Sequence, residues 1–278
     1  MAEEIKKEKI NNITIEFSGI GQGKPVLFLH GNPGTKDDFR EVAKIMAPKG
    51  FRCILIDRPG HGNSESFPSE FSNPGQAVNL LVECIKKFCG GKSFVVGYSM
   101  GAFLALRMAT KNPEMIMGLG LVSPFILPRD PSEWPSKIPT FSEIPILKDI
   151  LKFLVPKLGS GKIQQHIIDC FAPAKPDPAE VAKLTANYST FQCIVATIKD
   201  KNAFLETQSD LMKKLPTIRP PILAIVGDKD AISNGTSHAD KICTSQKTAK
   251  KEIIGGGGHA LPLTHAQKVA DLLSGFFP

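Results

Sequence analysis

Apolar positions along the chain follow two rhythms that take turns. "NNITIEF" (Asn11–Phe17) alternates apolar and polar residues, the period-2 pattern of a half-buried strand. "PVLFLH", "FRCILID", "KSFVVGY", "IMGLGLVSP" and "PPILAIVG" are short, nearly continuous apolar runs bounded by Gly and Pro, as strands buried on both faces require. Between them the spacing is helical. Phe39, Val42, Ala43 and Met46 share one face over Thr35–Met46, and Leu80, Leu81, Cys84, Ile85 and Phe88 do so over Pro74–Phe88. Met100–Thr110 is apolar almost all round and predicts a buried helix.

Strand and helix in alternation imply right-handed crossovers and an α/β fold: a mostly parallel sheet with helices on both faces. The rhythm breaks after Pro124. "ILKDILKFLV", "KIQQHIIDCF" and "AEVAKLTANYSTFQCIVATI" are helical in pattern with no strand among them. The strand pattern resumes at "PPILAIVGDKD", followed by a helix around His238, the short strand "KEII" and the closing helix "AQKVADLLSGFF". Resumption of the sheet favours an insertion over two domains in series, with the core in 1–124 and 218–278 and a helical cap in 125–217.

Composition narrows the picture. Of 278 residues 42% are hydrophobic and 22% charged, the values of a globular protein. The net charge of +7 is spread through the chain without interleaved aromatics, so no nucleic-acid site is expected. No apolar stretch is long and unbroken enough for a membrane span, and the charged "MAEEIKKEKI" start lacks a secretory h-region. The six cysteines show neither a C-x-x-C pair nor metal-ligand spacing, so buried free thiols and a cytoplasmic location are expected.

The chemistry centres on "GYSMG", Gly97–Gly101. Ser99 follows a predicted strand directly and opens a predicted helix, a sharp turn that exposes a hydroxyl above the sheet beside free helix N–H groups. A serine hydroxyl needs a base, and the base needs an orienting acid. Among the six histidines, His259 lies on the loop "GGGGHA" after the last short strand, whereas His265 reads as a capping residue. Asp228 and Asp230 both stand where the strand "ILAIVG" ends, and spacing does not choose between them. An oxyanion hole needs two N–H donors. The backbone of Met100 supplies one, and Asn32 in the loop "HGNPG" the other, because Pro33 has no N–H.

The ordered set HGNPG, DRPGHGNS, GYSMGA, VGDKD and GGGGHA resembles the α/β-hydrolase fold superfamily over nearly the whole chain. The resemblance implies a triad of Ser99, Asp230 and His259, with Asp228 in reserve, a structural role for His61, and a cap inserted after the strand that follows the nucleophile helix. It implies no cofactor and no metal. HGNPG is also similar to the loop of haloalkane dehalogenases and epoxide hydrolases, but those attack alkyl carbon with an aspartate at the elbow, where this chain has Ser99. The expected activity is hydrolysis of a small-molecule carboxylic ester, thioester or lactone through an acyl-enzyme. His30, Trp134, Phe153 and Tyr188 are candidate substrate contacts. Two alternatives stand beside it: a carbon–carbon bond hydrolase of vinylogous diketone acids, for which the cap offers only Arg129 as a carboxylate partner, and a low-turnover ligand-binding protein of the same fold.

Overall fold

A computed structural model describes residues 3–67, 74–127 and 145–278. Eight strands form one sheet: β1 (Glu3–Ile10), β2 (Ile13–Ile20), β3 (Lys24–Leu29), β4 (Phe51–Ile56), β5 (Ser93–Tyr98), β6 (Ile116–Val122), β7 (Ile222–Gly227) and β8 (Lys250–Ile254). Their spatial order is β1-β2-β4-β3-β5-β6-β7-β8. The β1–β2 and β2–β4 pairings are antiparallel, and every pairing from β4 to β8 is parallel. Leu29 lies opposite Gly97, Tyr98 opposite Val122, and Val122 opposite Ile225. The loops after β3, β5, β6 and β7 therefore leave the sheet along one carboxyl edge, where open parallel sheets carry their sites.

Alternate residues of the strands feed two separate cores. Val26 and Phe28 pack with Val42 and Met46 of α1 (Arg40–Met46) and Val269 and Leu273 of α9 (Ala266–Phe276). Leu27 and Leu29 pack on the other face with Leu81 and Ile85 of α2 (Pro74–Cys89) and Phe103 and Leu106 of α3 (Met100–Lys111). The sheet is thus covered on both sides, which is why β5 and β7 read as unbroken apolar runs. Two details depart from the sequence expectation. The charged start is itself strand β1, an edge strand whose lysines and glutamates face solvent. The helix expected from Thr35 begins as a 3-10 turn, Lys36–Phe39, which carries Asp38 into the interior.

Between β6 and β7 the chain leaves the sheet and forms α4 (Pro145–Phe171), α5 (Pro178–Tyr188) and α6 (Phe191–Lys214). Thr190 caps α6 by accepting the Cys193 N–H, and Asp177 caps α5 by accepting the Ala179 N–H. α4 and α5 share a small core of Ile167, Phe171, Val181, Leu184 and Tyr188. α6 belongs to both layers: Phe204 and Leu211 are buried in the core beneath the sheet, with the Phe204 ring 4.8 Å from Phe103 and 4.9 Å from Phe125. After β7 the chain continues through α7 (Gly235–Ser245), β8 and the short α8 (Leu261–Thr264). Among the described residues no helix is long and apolar enough to cross a membrane.

Candidate active site

Ser99 joins β5 to α3 with φ 52° and ψ −113°. A residue with a Cβ enters this left-handed region at a cost of about 1–3 kcal/mol, so the surroundings must hold it there. They do so through the Ser99 N–H, which donates to the Val122 carbonyl at 3.0 Å, and the Ser99 carbonyl, which accepts from Ala102 at 3.0 Å. The turn is tight enough that a Cβ at Gly97 would overlap the Gly101 carbonyl, and one at Gly101 would overlap the Leu29 carbonyl. Small residues at these two offsets let strand, helix and the β3 loop converge on one hydroxyl.

His259 reaches that hydroxyl from the loop after β8, with Nε2 3.1 Å from Ser99 Oγ. Its Nδ1 lies 2.9 Å from Asp230 Oδ2, so the acid fixes the tautomer that leaves Nε2 free to accept the serine proton. The backbone of that loop is fastened as well, because the Ser123 hydroxyl donates to the His259 carbonyl at 2.7 Å. Asp230 accepts the N–H groups of Ile232 and Ser233 at 3.0 Å each and the Ser233 hydroxyl at 2.8 Å. Burial alone would raise this carboxyl, but the His259 and Ser233 hydrogen bonds outweigh it and bring it down to about 2. Asp230 is therefore ionised across the physiological range.

The second acid of the pair does different work. Asp228 is 40% exposed and accepts the Gly256 N–H at 2.7 Å, which ties the glycine loop to the end of β7. Ser233 and Ser123 were not singled out from the sequence. A serine three residues beyond an aspartate is a local turn pattern that could have pointed to Ser233, whereas Ser123 meets His259 only across the fold.

The β3 loop stands beside the elbow. The Asn32 side chain is fastened to His61, with Nε2 to Oδ1 at 3.1 Å, and to the Thr197 carbonyl of α6, which accepts from Nδ2 at 3.1 Å. Asn32, Ser99 and Met100 line one cavity, so both candidate oxyanion donors border the nucleophile. His30, expected to touch substrate, does not. It is fully buried, its Nε2 accepts the Arg58 N–H at 3.0 Å, and its Nδ1 donates to the Gly31 carbonyl at 2.9 Å, so both ring nitrogens are committed to holding two loops together. Burial, with the Arg58 charge next, pushes His30 well below the ordinary histidine range and His61 down to about 3. Arg58 completes the joint: its guanidinium donates to the Gly31 carbonyl at 2.7 Å and pairs with Asp200 of α6 at 2.5 Å.

The cavity over Ser99 measures about 530 Å³ and runs between the sheet edge and the α4–α6 helices. Its walls are largely apolar, with Phe125, Ile163, Ile167, Leu184, Ile232 and Leu263 among them. Tyr188 lines it. Phe153 does not: it is 63% exposed, with the Lys157 ammonium 3.8 Å from the centre of its ring, because the phase of α4 turns it to solvent. Trp134 lies outside the described residues. Asp38, which the sequence did not single out, lines the cavity and accepts the Tyr188 hydroxyl at 2.6 Å.

A strand–serine–helix elbow at the carboxyl edge of a parallel sheet, met by an acid after β7 and a histidine after β8, defines the serine branch of the α/β-hydrolase fold. The serine aminopeptidase family S33 matches residues 23–263, and the chain belongs to it. It is 25% identical over 279 residues to a Synechocystis sp. protein named for non-heme chloroperoxidase activity, covering 98% of both chains. It is 27% identical over 290 residues to monoacylglycerol lipase ABHD6 of Bos taurus, covering 94% of this chain and 77% of that one. Among solved structures, epoxide hydrolase VrEH1 from Vigna radiata superposes with a TM-score of 0.77 at 17% identity over 99% of this chain and 97% of the other, a likeness of fold alone. The relatives are hydrolases and related enzymes of several chemistries, so the reaction is argued from the site.

Proposed function

We propose that the chain is a cofactor-free serine hydrolase that cleaves a small-molecule carboxylic ester through an acyl-enzyme. The observation that carries this reading is the unbroken hydrogen-bonded line from Ser99 Oγ through His259 to Asp230, opening into an apolar cavity. His259 takes the serine proton as Ser99 attacks the acyl carbon, and Asp230 stabilises the imidazolium that forms. The N–H groups of Met100 and Asn32 receive the oxyanion, Met100 being the first residue of α3, where N–H groups lack partners within the helix. His259 then protonates the leaving alcohol and activates the water that releases the acid. A serine at the elbow suits attack on acyl carbon, whereas opening an epoxide or displacing a halide by the related route needs a carboxylate there.

The test is hydrolysis of p-nitrophenyl esters from acetyl to long acyl by wild type and Ser99→Ala side by side. The expected result is turnover by the wild type, with a chain-length profile set by the cavity, and a loss of about 10⁴-fold or more in Ser99→Ala. Equal rates in the two proteins would sink the reading.

A further inference from the structure

The cavity holds a second polar cluster that the hydrolytic cycle does not use. Asp38 is 2% exposed, and its Oδ1 accepts the Tyr188 hydroxyl at 2.6 Å and the Thr35 N–H at 3.4 Å. Among the described residues no cation pairs with this carboxyl, and its Oδ2 makes no hydrogen bond. Tyr98, the residue before the nucleophile, is 6% exposed, lines the same cavity, and its hydroxyl has no partner among the described residues. Burial keeps both tyrosines protonated by raising them well above the ordinary phenol range. A largely apolar pocket thus presents a carboxylate and a phenol in its wall, both available to a ligand that enters.

The location says which part of the ligand that is. The Tyr98 ring lies 5.3 Å from the His259 ring, and His259 is the group that must protonate the leaving oxygen. The cluster therefore belongs to the leaving-group side. Its chemistry asks for a group that donates to Asp38 and accepts from Tyr98, which a hydroxyl does. An ammonium would donate but accept nothing, and it would enter a cavity already lined by Lys162, His166 and Lys201. Building on the ester reading, we infer that Asp38, Tyr98 and Tyr188 form a hydroxyl-binding subsite, so that the preferred substrates are esters whose alcohol carries a further hydroxyl.

Burial raises Asp38 to about 7 against the hydrogen bonds that oppose it, so near neutrality this carboxyl serves as acceptor or donor to such a group.

The experiment compares 2-hydroxyethyl butyrate with propyl butyrate, which exchange a hydroxyl for a methyl, with each rate divided by its hydroxide-catalysed rate. The wild type is expected to prefer the hydroxyethyl ester by about tenfold or more in kcat/KM, chiefly through KM. In Asp38→Leu, and in Tyr98→Phe should the first variant fail to fold, the ratio is expected to fall below about threefold. A wild-type ratio near one, at rates that Ser99→Ala abolishes, overturns the subsite and leaves the ester reading standing. A preference for 2-(dimethylamino)ethyl butyrate over both overturns the hydroxyl in favour of a cation. Failure to cleave any of the three overturns the ester reading and the subsite together.

Discussion

Two buried aspartates, one behind His259 and one in the wall of the cavity, are treated in opposite ways. Asp230, in the loop after β7, has His259, the Ser233 hydroxyl and two backbone N–H groups around it, and these bring it down to about 2 against its burial. Asp38, in the turn after β3, has one phenol and one long backbone contact, and burial wins, raising it to about 7. The first acid is saturated with partners, and its geometry leaves it one task, the orientation of an imidazole. The second keeps capacity for a ligand. Asp38 is the more deeply buried of the two and has the fewer partners, and both differences push the acids apart.

The largest expected effect comes from breaking the first of them. In Asp230→Asn the amide would donate to Nδ1, which forces the His259 proton onto Nε2 and removes the acceptor that Ser99 needs. The expected loss in kcat is about 10³–10⁴-fold on whichever ester the enzyme turns over, with KM changed little. Asp228→Asn, two residues away on the same loop, should cost less than about threefold, because Asp228 holds Gly256 and not the histidine. Similar losses in the two variants would mean that the assignment of the acid is wrong.

The contrast also marks what the sequence made legible. GYSMG announced the elbow because a tight turn with positive φ demands small residues at fixed offsets, and those offsets are local. The choice between Asp228 and Asp230 was not local: both stand at the end of β7, and the resemblance, not the spacing, singled out Asp230. Strand β1 was missed because an edge strand buries little, and "EEIKKEK" shows no apolar stripe. His30 was misplaced because its motif stands beside the nucleophile, while the Arg58 N–H that consumes Nε2 comes from a different loop. Phe153 was misplaced by helix phase. Asp38 and Tyr188 are separated by 150 residues and meet only when α5 settles over the sheet edge, so no spacing could have paired them.

A second way to test the comparison is to make a well-partnered acid resemble Asp38. Asp57 and Glu16 are buried around the Lys36 ammonium, which lies 2.6 Å from Glu16 and 3.1 Å from Asp57, all three side chains being 9% exposed or less. Lys36→Met would leave Asp57 buried without a cation and Glu16 with only Lys7, 3.7 Å away. The expected cost is about 3–5 kcal/mol in denaturant unfolding. A cost under about 1 kcal/mol would show that water or protonation relieves such acids easily here, and the burial of Asp38 without a cation would then lose its meaning.

The smallest and most selective effect lies in the pH dependence of stability. In the folded chain Asp38 is raised from its ordinary 3.8 to about 7, so between these values the folded state holds a proton that the unfolded state has released. Stability must then fall as pH rises through that window, and the penalty is complete once pH exceeds the folded value. Asp38→Asn keeps an acceptor for the Tyr188 hydroxyl but cannot ionise, so it abolishes this slope. Relative to wild type, the Asn variant should gain on the order of a few kcal/mol in unfolding free energy between pH 4.5 and pH 8, read from urea titrations at both values. An unchanged difference between the two proteins at the two pH values would show that Asp38 ionises in the fold as freely as in water. The carboxyl would then have a cation or solvent beside it, and the distinction between the two acids would disappear.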